Sequence, residues 1–252
     1  MRENDIPSTP GHPLVQYEDA GGIVTLTLNR PDKRNALNVD MFVELDAHVA
    51  TLETRADVGV VVLRANGPVF CAGADIAKQS KPPIKHFQSR TITRLSRLPQ
   101  PVVAAVHADC FTGGLELILA ADLIFVAASA RFADTHGAFA LAPGWGLSQR
   151  LPRRIGEAKA KEIMLLGRRY DGRAAESIGL ANICVEDADF ETELATFLNQ
   201  LNTQSWHSLR AYKKLFLETQ DMPLTGGLAY EAAYNPGAGP DFLDRRNVRL
   251  KK

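Results

Sequence analysis

The amino-acid sequence predicts an α/β layered fold with a partly parallel sheet, followed by a mainly helical C-terminal third. Three observations carry this expectation. The runs VGVVVLRA (58–65), PVVAAVHA (101–108) and DLIFVAA (122–128) are continuous, apolar and rich in β-branched residues, as strands buried on both faces are. Helical stretches at roughly 84–98 and 113–121 separate them, and such alternation builds a sheet layered with helices. After Arg150 the segments GEAKAKEIMLLGRR, GRAAESIGL, FETELATFLNQLN and WHSLRAYKKLFLETQ read as helices, with NICVE (182–186) the one strand among them.

The remaining elements follow in order. MRENDIPSTPGHP lacks an apolar signal core and reads as a flexible polar lead-in. GGIVTLTLN (21–29) alternates apolar and β-branched residues before the turn RPDKRN, which predicts a strand. Asn38 suits a helix N-cap, and Met41, Leu45, Val49 and Leu52 recur on one helical face. The loop AKQSKPPIKHFQSR (77–90) carries adjacent prolines and several basic residues, so mobility is expected there.

With 252 residues, 45% hydrophobic and 23% charged, the chain has the composition of a soluble globular protein able to bury a sizeable core. Lys plus Arg (29) equal Asp plus Glu (29), so no net field favours nucleic acid or an acidic membrane. No apolar run approaches the ~20 residues that span a bilayer. Cys71, Cys110 and Cys184 form no close metal-ligand pair, and reduced thiols of a cytoplasmic protein are the expected state.

Three stretches can carry chemistry. FCAGADI (70–76) follows a buried strand, and its small residues let bare backbone approach a ligand and expose N–H groups; a tight turn that needs a glycine is the alternative. In HADCFTGGLELILAAD (107–122), Gly113 and Gly114 lead into a helix whose first N–H groups have no intrahelical partner. Glu116 lies three residues after Gly113, on the same side of that helix, so an N–H donor and a carboxylate come together. The pairing suits oxyanion stabilisation combined with proton transfer. Glu116 could instead only complement the helix dipole, but its neighbours Leu115, Leu117 and Ile118 predict desolvation, which is costly for an unused carboxylate. The third stretch is RFADTHGAFALAPGWGLSQRLPRRIG (131–156), with His136 ahead of a glycine-rich turn; taken alone, such a histidine is more often structural. GxGxxG after a strand, GxxxxGK[ST], GxSxG and HExxH are all absent, which argues against nicotinamide, P-loop, serine-hydrolase and zinc-protease chemistry.

Together the pieces LNRPDKRNALN, VVLRANGPVFCAGADI, PQPVVAAVHADCFTGGLELILAADL, PGWGLSQRLPRRIG, GRRYDGRAAESIGLAN and FLDRRNVRLKK, in this order, resemble the crotonase (enoyl-CoA hydratase/isomerase) superfamily from about residue 15 to the end. The resemblance implies a crotonase-like spiral of ββα units over 14–190 and a helical C-terminal region over 191–252 that assembles trimers or dimers of trimers. It implies an acyl-CoA substrate, of which coenzyme A is part, with no metal and no separate cofactor such as a nicotinamide; the charge balance and the lack of a spanning run already argue against a nucleic-acid or membrane partner. The thioester oxygen would accept from the backbone N–H groups of Ala74 and Gly113. Lys33, Arg34 and Ala36, with Ala72, Asp75 and Ile76, match positions that line the adenine and pantetheine. Arg245 and Arg246 match basic residues near the phosphates, and Gly144 matches a glycine whose N–H helps hold the reacting water.

Glu116 matches the first of the two glutamates usual in hydratases of this family, whereas His136 stands where the second is usual. Glutamate and histidine can divide acid and base roles, since histidine titrates near neutrality. The expected reaction is hydration of a 2-enoyl-CoA. The alternatives are isomerisation, thioester hydrolysis or carbon–carbon cleavage through the same oxyanion, or a non-catalytic acyl-CoA binder.

Overall fold

The computed structural model describes residues 12–77 and 81–250. The polar lead-in and the basic loop at 77–90 therefore fall partly outside the described residues. The chain opens with the hairpin β1 (Val15–Ala20) and β2 (Ile23–Leu28), followed by α1 (Val39–Leu52). Next come β3 (Val60–Ala65), α2 (Phe87–Ser96), β4 (Val102–Val106), β5 (Cys110–Phe111) and α3 (Gly113–Ile118). β6 (Leu123–Ala127), β7 (Arg131–Ala133), α4 (Leu147–Ile155), α5 (Glu157–Leu166), β8 (Tyr170–Asp171), α6 (Gly172–Ser177) and β9 (Ile183–Val185) complete the α/β part. Among the described residues, four helices follow: α7 (Phe190–Asn202), α8 (Trp206–Thr219), α9 (Leu224–Tyr234) and α10 (Phe242–Leu250).

Six strands form one sheet in the order β1-β2-β3-β4-β6-β9, with only the β1–β2 pair antiparallel. The expected apolar strands are its centre: all residues of β4 are buried, as are Val60 to Leu63 of β3. After each central strand the chain steps sideways into a second, much shorter layer before its helix. Leu37 bridges Ala74, Cys71 bridges Cys110, and β5 pairs with β7. Strand, return segment and helix thus repeat turn after turn, which makes the architecture a spiral. These returns bring residues distant in sequence into hydrogen-bonding contact, and the candidate site is built from them.

Local chemistry fixes the helices. The Asn38 side chain accepts from the Met41 N–H, as an N-cap should, and Met41, Leu45, Val49 and Leu52 are all buried. The helical end packs back on the sheet through Phe190 and Phe197, whose rings meet Phe125 at 5.5 and 5.6 Å. On α8, the Trp206 indole lies so close to Gly22 and Gly59 that a Cβ there would fall 2.6 and 2.2 Å from it, so only glycine lets this helix dock. Lys213 is buried on α8 and is neutralised by Asp122 at 2.7 Å. Helices α9 and α10 bury no residue. None of the described helices is long and apolar enough to cross a membrane.

Candidate active site

Gly113 starts α3, and the residue before it sets its direction. Thr112 has φ 50° and ψ −108°, an unusual backbone state for a residue with a side chain. Bonds from three sides hold it there: its N–H donates to Ala133 O at 2.9 Å, its hydroxyl meets that of Thr135, and the Thr135 N–H donates to that same hydroxyl oxygen. The Ala74 loop approaches from the neighbouring turn of the spiral. It is held by Leu37 N–H to Gly73 O at 2.8 Å and Asp75 N–H to Leu37 O at 2.9 Å. A Cβ placed on Gly113 would sit 2.9 Å from the Ala74 nitrogen. Because a Cβ lies about 2.5 Å from its own nitrogen, the two backbone nitrogens are at most about 5.4 Å apart. Neither N–H has an acceptor among the described residues. Two unused donors side by side are what a developing oxyanion requires.

One turn further along α3, Glu116 is only 2% exposed. Its Oε1 accepts from the Trp145 and Leu147 N–H groups at 2.8 and 3.1 Å, so the PGWG turn clasps the carboxylate through its backbone. Burial pushes the Glu116 pKa above the ordinary glutamate value; the two N–H bonds and the nearby His136 oppose that shift without cancelling it. With Oε1 occupied by donors, the proton of the neutral form belongs on Oε2. That oxygen faces His136, whose Nε2 is 3.9 Å away. The gap is too long for a direct hydrogen bond and suits two groups that address one reacting atom. The Trp145 ring closes the other side, edge-on to Phe42 at 5.1 Å and against Gly113.

His136 begins a short 3-10 turn that ends at Phe139, and it is 8% exposed. Its Nδ1 contacts Asp134 Oδ1 at 2.6 Å, and its own N–H donates to the same oxygen at 3.0 Å. Asp134, at 3% exposure, was not anticipated from the sequence; the Asp-x-His spacing at a strand end was the available signal.

The other expected residues fall into two groups. The segment with Lys33, Arg34 and Ala36 runs beside Ala72, Asp75 and Ile76, zipped by Ala72 N–H to Arg34 O at 3.0 Å. Lys33, Arg34, Ala72 and Ile76 are exposed along this seam. Asp75 instead pairs with Arg30 at 2.5 Å, and that guanidinium holds its carboxyl below the usual carboxylate range. Gly144 is exposed, with open space where a Cβ would be; in its turn, Trp145 and Leu147 supply the N–H groups bound to Glu116. Arg245 and Arg246 sit on α10, Arg245 bonded to Asp241 and to Thr203 O, and Arg246 over the Phe242 ring. Cys71 adjoins the Ala74 loop, but burial pushes its thiol up to about 12, so it is no nucleophile at neutral pH. Among the described residues, no group of three or more His, Cys, Asp or Glu is placed to hold a metal ion.

Residues 18–235 match the enoyl-CoA hydratase/isomerase family. The chain belongs to that family. It is 34% identical over 180 residues to the probable peroxisomal enoyl-CoA hydratase 1 of Arabidopsis thaliana, spanning 70% of this chain and 68% of that protein. It is 27% identical over 242 residues to the peroxisomal Delta(3,5)-Delta(2,4)-dienoyl-CoA isomerase of the same plant, spanning 88% and 87%. Among solved structures, an enoyl-CoA hydratase from Bacillus anthracis superposes with a TM-score of 0.88 at 29% identity, over 94% of this chain and 96% of that one. The spiral is therefore the crotonase fold, and the chain is a crotonase-family acyl-CoA enzyme. The names of these enoyl-CoA hydratase/isomerase relatives cover both hydration and isomerisation.

Proposed function

We propose that the chain adds water across the double bond of a 2-enoyl-CoA. The observation that carries this reading is the convergence of Glu116 Oε2 and His136 Nε2, 3.9 Å apart, beside the two free N–H donors. The thioester oxygen would accept from Ala74 and Gly113, and both donors gain strength as negative charge builds there. Ionised Glu116 takes a proton from water as its oxygen bonds to Cβ, and the double-bond electrons move to the enolate oxygen. A proton returned to Cα completes the addition, and His136 positions the water or relays that proton. The seam of Lys33, Arg34, Ala36, Ala72 and Ile76 would carry the pantetheine and adenine, with Arg245 and Arg246 toward the phosphates.

Product analysis distinguishes the reactions. Incubated with crotonyl-CoA and longer 2-enoyl-CoAs, the purified protein should yield acyl-CoAs heavier by one water. An isomer of unchanged mass, free coenzyme A or a shortened acyl-CoA would replace hydration by isomerisation, hydrolysis or carbon–carbon cleavage. No product with any of them would leave an acyl-CoA binder.

The same reading includes a trimer-based assembly. Phe216 and Leu224 are 76% and 79% exposed, and Tyr212, Leu228 and Phe242 are exposed with them, a large apolar surface for one subunit to leave open. Sedimentation at micromolar concentration should report trimers or hexamers, and a stable monomer would refute the assembly.

A further inference from the structure

The geometry points to Asp134 as a positioning residue, one that fixes the tautomer of His136 and turns its Nε2 toward Glu116. As a role in turnover this rests on the hydratase reading above; as a statement about the ring it stands alone. Asp134, His136 and Glu116 are all nearly buried, and the two carboxylates flank one imidazole from opposite sides. Asp134 Oδ1 already accepts the His136 N–H at 3.0 Å, and it lies 2.6 Å from Nδ1. A carboxylate oxygen so placed accepts from the ring as well, so Nδ1 carries the proton. Neutral His136 then presents Nε2 as an acceptor at the point where Glu116 Oε2 also arrives. Without Asp134 the ring could protonate on either nitrogen and rotate about its side-chain bonds, and Nε2 would no longer be held as an acceptor over the reacting atoms.

A plain structural role predicts something different. The bond from the His136 N–H to the Asp134 side chain two residues earlier is an Asx-type turn, which asparagine supports equally well. If Asp134 only shapes the turn, Asp134→Asn behaves as wild type in every respect. If it positions the ring, the neutral amide oxygen holds Nδ1–H less firmly than the charge-assisted bond does.

The test uses the full-length protein labelled with nitrogen-15 in the histidine rings, with His136→Gln to assign the signal. Neutral His136 should carry its proton on Nδ1. Asp134→Ala should shift that proton toward Nε2 and lower kcat on the best enoyl-CoA by about 10²-fold, with KM little changed. Asp134→Asn, which keeps the turn, should fall between the two on both measures. A wild-type ring protonated on Nε2 would overturn the assignment. So would an Asp134→Ala protein with unchanged tautomer or unchanged kcat, or an Asp134→Asn protein matching wild type in both. If wild type hydrates no enoyl-CoA, the hydratase reading fails, and the ring signal still decides whether Asp134 orients His136.

Discussion

Glu116→Gln is expected to lower turnover of the preferred enoyl-CoA by at least about 10²-fold while leaving acyl-CoA binding nearly intact. The amide oxygen can still accept from Trp145 and Leu147, so the PGWG turn keeps its place. What disappears is the titratable oxygen facing His136. The same substitution should stabilise the fold at neutral pH. Burial raises the Glu116 pKa, so the folded protein holds this proton more tightly than the unfolded chain does. The stabilising contribution of the neutral carboxyl is complete below the ordinary glutamate value and is lost as pH rises through the raised folded value. Glutamine does not ionise and loses nothing over that window. Thermal unfolding should therefore show Glu116→Gln above wild type at neutral pH, with the gap closing as the pH falls from the raised folded value to the ordinary glutamate value. A variant of near wild-type turnover would remove Glu116 from the chemistry.

Gly113→Ala should cost about 10²–10³-fold in kcat, the usual loss when one oxyanion donor is displaced. The new methyl would lie 2.6 Å from the Trp145 ring and 2.9 Å from the Ala74 nitrogen, so it presses directly on the second donor. Steady-state kinetics of Gly113→Ala and of Gly113→Ala/Trp145→Ala separate these two clashes. Removing the indole relieves the first and leaves the second, so the double variant should stay slow. Recovery of full turnover in the double variant would mean that the indole clash, rather than the paired donors, limits the reaction.

The features legible in the sequence are those set by local pattern. Continuous β-branched runs marked β3, β4 and β6, and Asn38 before a periodic apolar face marked α1. Glu116 stood out as a carboxylate in an apolar helix, and it is indeed buried and backbone-bonded. β1, with Glu18 and Asp19 in its sequence, is an edge strand whose pairing with β2 rather than its composition defines it. The two- and three-residue strands β5, β7 and β8 have no period to detect, because the spiral's return segments create them. Helix α9 forms despite Gly226 and Gly227, which weaken the helical preference of its first turn. Asp134 and Trp145 escaped for a related reason. Their roles lie in contacts to His136 and Gly113 that only the folded turns establish.

The position of the thioester decides which groups can act on it. A crystal structure with a bound, unreactive enoyl-CoA analogue tests this directly. The thioester oxygen should lie within about 3.1 Å of both the Ala74 and the Gly113 nitrogen, with the Cα–Cβ bond over the pair of Glu116 Oε2 and His136 Nε2 and within reach of both. A thioester oxygen bonded to neither nitrogen, or an acyl chain that leaves Glu116 and His136 out of reach of Cα and Cβ, would contradict it.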